Sequence, residues 1–254
     1  MASTKLKTGM EMRDIVMITG GGRGIGAATA RLAAARGHDV IINYKSNAET
    51  AAQVIGEIEK AGGRGLAVQG DMAKEADVER LFKAADDFGP LKHLVYNSGV
   101  TGKNSRFEAV STQTLRDNVE INLMGAFFCA RAAIPRLSTK HGKAGGSMVF
   151  LSSVQSKLGA AGEYAWYAAT KSGVDGLVIG LSKELAGEGI RVNAVSPGPI
   201  DTEIHEPGRL ARIAHQLPTG RVGTPDEVAE AILFLISKAA SYTSGTTLTV
   251  SGAR

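Results

Sequence analysis

Cys129 is the only cysteine in this chain of 254 residues. An intramolecular disulfide and a cysteine-built metal cluster are therefore both excluded. The residue stands in the apolar run Gly125-Ala-Phe-Phe-Cys-Ala, which predicts a buried structural thiol. No run of five or six like charges occurs, and 29 basic residues are interspersed with 25 acidic ones for a net charge of +4. That pattern argues against a nucleic-acid-binding arm. No apolar stretch approaches bilayer length, and the opening residues are too polar to form the apolar centre of a signal peptide. A cytoplasmic protein is expected. The five histidines, His38, His93, His141, His205 and His215, are scattered without metal-ligand spacing, so no metal site is predicted.

What is present is alternation. After a lead-in over residues 1–12, short apolar runs at 15–18, 40–42, 66–68, 94–96, 148–151, 192–195 and 248–250 read as strands. Amphipathic or Ala-rich stretches at 24–35, 48–61, 78–88, 112–137, 167–186 and 225–237 read as the helices between them. Strands that are apolar throughout and separated by helices predict a parallel sheet covered on both faces. The fold class expected is α/β, a single doubly wound Rossmann-type domain over residues 13–254 with a seven-stranded sheet. Residues 199–223 carry two internal prolines and little strand character, and are expected to form a flap over a site.

The first strand runs into Thr19-Gly-Gly-Gly-Arg-Gly-Ile-Gly, which opens a helix. Glycines let the backbone turn tightly and approach an anion, and the N–H groups at a helix start favour phosphate. Lying between the first strand and first helix of the alternation, this turn predicts a dinucleotide site. An acidic residue about 20 positions after the glycines would hold the ribose hydroxyls of NAD and repel a 2′-phosphate. The second strand instead ends Ile42-Asn43-Tyr44-Lys45-Ser46-Asn47, with no carboxylate before Glu49. Lys45 and Arg23 supply cations and Ser46 a hydroxyl, so NADP(H) is expected over NAD(H).

Tyr167 and Lys171 are four apart and share one face of a helix. A free tyrosine titrates near about pH 10 and is a poor proton carrier at neutrality. A neighbouring ammonium is expected to lower that value and fit the phenol for acid–base work. A serine from the preceding strand end, Ser152 or Ser153, would hold the reacting oxygen. Tyr164 is no competitor for the catalytic position, because Ala168 stands four residues later. Trp166 points away from Tyr167 on a helix and is expected at a subunit contact. His205 and Glu206 in the flap are candidates to touch substrate.

Taken in order, these motifs resemble those of the short-chain dehydrogenase/reductase family from about Met12 onward. The matching positions are Thr19-Gly-x-x-x-Gly24-x-Gly26, Asp71, Asn97-Ser98-Gly99, Asn122, Ser153, Tyr167-x-x-x-Lys171, and Pro197-Gly198 with Thr202. The resemblance implies an oxidoreductase acting on CH–OH groups, with Tyr167 as acid/base. Lys171 would assist it and bind the nicotinamide ribose, Ser153 would orient the substrate oxygen, and Asn122 would support a water-mediated relay. For the cofactor it implies Gly20, Gly22, Arg23, Gly24, Ile25 and Gly26 at the phosphates, Tyr44, Lys45 and Ser46 at the ribose, and Asp71 and Met72 at the adenine. Asn97, Ser98 and Gly99 would line the nucleotide, while Pro197, Gly198, Ile200 and Thr202 would contact the nicotinamide end.

It further implies a homotetramer built on the helices around Asn122 and Tyr167. Two departures stand out: Ser98 replaces the family's usual alanine, and Ser153 lies 14 residues before Tyr167, one more than usual. A subgroup with Gly162-Glu163-Tyr164 shares that spacing and is often labelled sugar-dehydrogenase-like. The leading expectation is a reductase of a small ketone or 3-oxoacyl thioester, with an oxidative sugar or alcohol dehydrogenase as the alternative. A non-catalytic dinucleotide sensor is the alternative of another class, and the intact Tyr167 and Lys171 argue against it.

Overall fold

The computed structural model describes residues 13–206 and 208–254. The lead-in expected over residues 1–12 lies outside them. The chain alternates β1 (Ile15–Ile18), α1 (Gly24–Ala35), β2 (Asp39–Tyr44), α2 (Ala48–Lys60), β3 (Gly65–Gln69), α3 (Glu75–Phe88) and β4 (Leu91–Tyr96). It continues with α4 (Thr112–Val119), α5 (Gly125–Leu137), β5 (Gly146–Leu151), α6 (Gln155–Leu158) and α7 (Ala165–Leu185). The last elements are β6 (Ile190–Pro197), α8 (Arg209–Ala214), α9 (Pro225–Ile236) and β7 (Thr247–Val250). The strands form one parallel sheet in the order β3-β2-β1-β4-β5-β6-β7.

Alternation of side chains along each strand divides the core. Ile15 and Met17 of β1 face one layer with Val78, Phe82, Cys129 and Val174, whereas Val16 and Ile18 face the other with Ala30, Val54 and Ile232. Each aliphatic side chain buried this way contributes roughly 1.5–3 kcal/mol, which is why β1, buried at all four positions, is apolar throughout. Cys129 is buried as expected, and burial pushes its thiol well above the ordinary range. The winding reverses at β1, flanked by β2 and β4. That reversal opens a crevice at the carboxyl ends of the strands.

Two elements depart from the sequence reading. The single helix expected over residues 112–137 is interrupted by a π-helical turn at Glu120–Met124, a feature that recurs at functional sites. The histidines, scattered along the chain, are not all scattered in space. His38 and His93 meet edge to face at the amino-terminal end of the sheet, with ligand-capable atoms of both and of Asp14 within 4.8 Å of one another. The segment 199–223 is pinned at its base, where Ile200 pairs with Gly223, and it carries α8. No helix among the described residues is long and apolar enough to cross a membrane.

Candidate active site

The glycine turn is held by the loop after β4. Thr19 Oγ1 accepts from the backbone N–H groups of Asn97 (3.0 Å) and Ser98 (3.1 Å), and Asn97 Nδ2 donates to the carbonyls of Thr19 and Gly20. Gly20 and Gly24 adopt φ of +62° and +51°, the left-handed region that favours glycine. A Cβ on Gly26 would stand 2.3 Å from the Gly20 carbonyl oxygen, so this glycine serves close packing of helix on turn and does not line the crevice. Arg23 leads into α1, whose first turn carries no acidic residue. The positive end of the helix is left open to an anion.

Gly20, Arg23, Gly24, Ile25, Lys45, Asp71, Met72, Asn97, Ser98 and Gly99 all border one crevice with Pro197, Gly198, Ile200 and Thr202. Gly22, Tyr44 and Ser46 do not border it. Tyr44 packs into the core layer beneath α1, and the space beside Gly22 is taken by Thr50 and Tyr44. Lys45 is engaged, its ammonium pairing with Asp71 at 2.8 Å. Burial works against the Asp71 carboxylate, but Lys45 and the Ala73 N–H outweigh it and hold the carboxyl below its ordinary value. Asn43 escaped the sequence reading altogether. It is buried at the end of β2, where Oδ1 accepts from the Gly20 N–H and Nδ2 donates to the Gly70 carbonyl, bracing the turn against the end of β3. A polar residue closing an otherwise apolar strand was the signal.

Ser153, Tyr167 and Lys171 line the same crevice. Both serines border it: the Ser152 hydroxyl donates to the Lys171 carbonyl at 3.5 Å, and the Ser153 hydroxyl accepts from the Gln155 N–H at 3.2 Å. Lys171 Nζ donates to the Leu151 carbonyl at 2.6 Å and lies 5.6 Å from the centre of the Tyr167 ring. The expected lowering of the phenol is not what this arrangement produces. Burial pushes Tyr167 up to about 12, offset in part by Ser153, because the ammonium sits against a carbonyl and the ring face rather than at the hydroxyl. Burial likewise pushes Lys171 down to about 8, against the pull of Asp175.

Asn122 does not border the crevice but stands directly behind it, inside the π-turn. Its amide grips the backbone of Val100 from both sides, Oδ1 accepting at 2.8 Å and Nδ2 donating at 2.9 Å, with Asn118 and Thr170 completing the set. A Cβ on Gly99 would stand 3.3 Å from Asn122 Oδ1 and 3.5 Å from Lys171 Nζ, so only the glycine separates the two groups.

With that geometry in view, the chain matches the family described as Enoyl-(Acyl carrier protein) reductase over residues 20–252. The uncharacterized oxidoreductase YgfF of Escherichia coli is 42% identical over 245 residues, covering 94% of this chain and 99% of that protein. A 3-oxoacyl-[acyl-carrier-protein] reductase of Synechocystis is 36% identical, covering 94% and 96%. A short-chain dehydrogenase from Burkholderia cenocepacia, solved in complex with NADP, superposes with a TM-score of 0.89 at 30% identity, covering 95% of this chain and 98% of that one. The chain belongs to the short-chain dehydrogenase/reductase family. It is an oxidoreductase of a family that binds nicotinamide dinucleotides, and the residues around its glycine turn fit such a group.

The remaining wall of the crevice lies beyond Tyr167. Trp166 is not at a subunit contact: it is 5% exposed, donates from Nε1 to the Thr101 carbonyl at 2.7 Å and meets Tyr164 edge-on. Its ring turns inward because the apolar cluster of Ala160, Tyr164 and Ala168 fills the space beside it. Tyr164, passed over in the sequence, borders the crevice together with His205, Glu206 and Arg209. Arg209 was missed as well. It is 6% exposed, pairs with Glu163 at 2.7 Å, stacks 5.3 Å from the Tyr164 ring centre and faces His205 Nδ1.

Proposed function

We propose that the protein transfers hydride between NADP(H) and a carbonyl or alcohol substrate, working as a reductase of a small ketone or 3-oxoacyl thioester. The observation that carries this reading is that Ser153, Tyr167 and Lys171 border the same crevice as the glycine turn. Bound there, the nicotinamide supplies or accepts the hydride. Ser153 and Tyr167 bind the reacting oxygen, and Tyr167 gives it a proton as the carbonyl is reduced. Lys171, on the same side of the crevice, offsets the charge that the phenol leaves behind. Asn122 holds the Val100 backbone and so fixes the segment next to Gly99 that borders the crevice.

The preference for NADP(H) over NAD(H) is supported by Arg23 and by Lys45 at the end of β2, a segment that has no carboxylate of its own before Glu49. The NADP complex of the Burkholderia relative supports it as well. A homotetramer accompanies the reading. Val119, Phe127 and Ile179 stay 44%, 38% and 50% exposed on α4, α5 and α7, the helices expected at the interface, and are available to be covered there.

Tyr167→Phe tests the mechanism, since it removes one hydroxyl and keeps the ring. Turnover of any accepted ketone is expected to fall by at least about a hundredfold, the scale of general acid catalysis, while NADPH affinity is retained. Unchanged turnover would refute the role given to the phenol.

A further inference from the structure

Arg209 is set unusually for a cation. Its side chain is 8% exposed, yet it borders the crevice at the end remote from the glycine turn. A guanidinium has five N–H donors. Nη2 donates to the Glu163 carboxylate at 2.7 Å, and Nη1 faces His205 Nδ1 at 3.4 Å. The other donors have no protein acceptor among the described residues. Donors left over on a largely covered side chain that borders the crevice are open to an acceptor arriving there.

The surrounding backbone fixes it there. The Ser105 N–H donates to the Glu163 carbonyl and the Asn104 N–H to the Glu206 carboxylate, tying three loops around the arginine. Its stacking partner Tyr164 is the N-cap of α7, three residues before Tyr167, and both border the crevice. A substrate atom that reaches Arg209 is therefore several bonds from the carbon that exchanges hydride.

Charge sets the kind of atom. Glu163 cancels Arg209, and Glu206, whose carboxylate accepts from the Asn104 N–H, borders the crevice as well. His205 adds no positive charge, because burial and then Arg209 hold its imidazole below the ordinary range. The donors of Arg209 are thus offered in surroundings with no excess of positive charge.

We infer that Arg209, neutralised by Glu163, determines substrate specificity by donating hydrogen bonds to a hydroxyl or carbonyl oxygen of an uncharged substrate, several bonds from the reacting carbon. The inference rests on the hydride-transfer reading and narrows its substrate class. The protein selects oxygenated neutral ketones and alcohols over plain alkyl ketones, and over keto acids.

The test uses three probes of matched length: a methyl ketone ending in a hydroxyl, its isostere ending in methyl, and the corresponding keto acid. Dissociation constants for the protein–NADPH complex are read from Trp166 emission, and kcat/KM from NADPH consumption. Wild type is expected to favour the hydroxy ketone over the methyl isostere by roughly 10- to 100-fold, the range for one hydrogen bond to a charged group. In Arg209→Met that ratio falls towards one. In Glu163→Gln the guanidinium keeps its charge uncancelled, and the keto acid gains on the hydroxy ketone by about tenfold. A ratio preserved in Arg209→Met, or no gain for the keto acid in Glu163→Gln, overturns the inference. Should Arg209→Met fail to fold, Glu163→Gln decides alone. Wild type that binds the probes in this order but turns none over would sink the hydride-transfer reading and leave the role of Arg209 standing.

Discussion

Arg23 and Lys45 are both cations beside the end of β2, but they are not equivalent, and the difference is measurable. Among the described residues Arg23 makes no ion pair, whereas Lys45 is already paired with Asp71 at 2.8 Å with its side chain 63% exposed. A phosphate reaching Arg23 gains a charge-assisted hydrogen bond worth about 1.5–3 kcal/mol; the lower end applies on an exposed side chain, or roughly tenfold in affinity. A phosphate reaching Lys45 only replaces one anion with another, and exposed pairs are worth about 0–1 kcal/mol, a few-fold at most. Arg23→Ala should therefore lower the ratio of NADPH to NADH affinity about tenfold, and Lys45→Ala only two- to threefold. The assay is titration of each variant with both nucleotides, followed by Trp166 emission at one ionic strength, since the Debye length is about 10 Å at 0.1 M salt. A larger loss of discrimination in Lys45→Ala than in Arg23→Ala would refute the argument that the Asp71 pair discounts the lysine. Equal effects on NADPH and NADH in both variants would refute the phosphate site itself.

Three further outcomes follow from the geometry. Burial pushes His93 down to about 3, so the folded state keeps it neutral while the unfolded chain binds a proton below about 6.5. Its stabilising contribution is complete above that value and drains away as pH falls towards 3. Between pH 7 and pH 5 the loss is about 2 kcal/mol, and urea unfolding of His93→Gln should show a pH dependence shallower by that amount; parallel curves for the two proteins would contradict it. Gly26→Ala places a Cβ 2.3 Å from the Gly20 oxygen and 2.6 Å from Asn97 Nδ2. It should cost about 1–3 kcal/mol of stability and abolish tight nucleotide binding, and wild-type affinity in this variant would count against the close-packing role. Asn122→Asp turns the amide donor that serves the Val100 carbonyl, Asn118 and Thr170 into a buried acceptor. A loss of about 2–4 kcal/mol in denaturant unfolding is expected, and a change below about 0.5 kcal/mol, the level of an ordinary surface substitution, would mean the network is not structural.

How much of this was legible depended on whether the physical cause was local. Ile15–Ile18 is apolar at every position and buried at every position, because a central parallel strand meets a core on both faces. Tyr167 and Lys171 were readable because helical spacing alone brings them to one side. The π-turn was not readable, since the apolar pattern runs through it without a break and only the grip of Asn122 on Val100, 22 residues away, gives it a purpose. Asn43 was hidden for a related reason. The end of β2 was examined for a carboxylate it lacks, while the asparagine there works through backbone groups on two other segments. The Glu163–Arg209 pair spans 46 residues, and charges on separate loops carry no mark of their partner. The choice between Ser152 and Ser153 was not legible because both leave β5 into the same crevice, and only the contact of Ser152 with the Lys171 carbonyl sets them apart.

The departure that bears most on chemistry concerns protonation. Local spacing made Lys171 the dominant influence on Tyr167, yet desolvation acts on both and in opposite directions, raising the phenol to about 12 and lowering the ammonium to about 8. Burial always favours the neutral form. At neutral pH the phenol is therefore held protonated, while the lysine remains mostly charged. In the proposed reduction a protonated phenol is the form that donates, and the charge on Lys171 is kept for the moment when the proton has left.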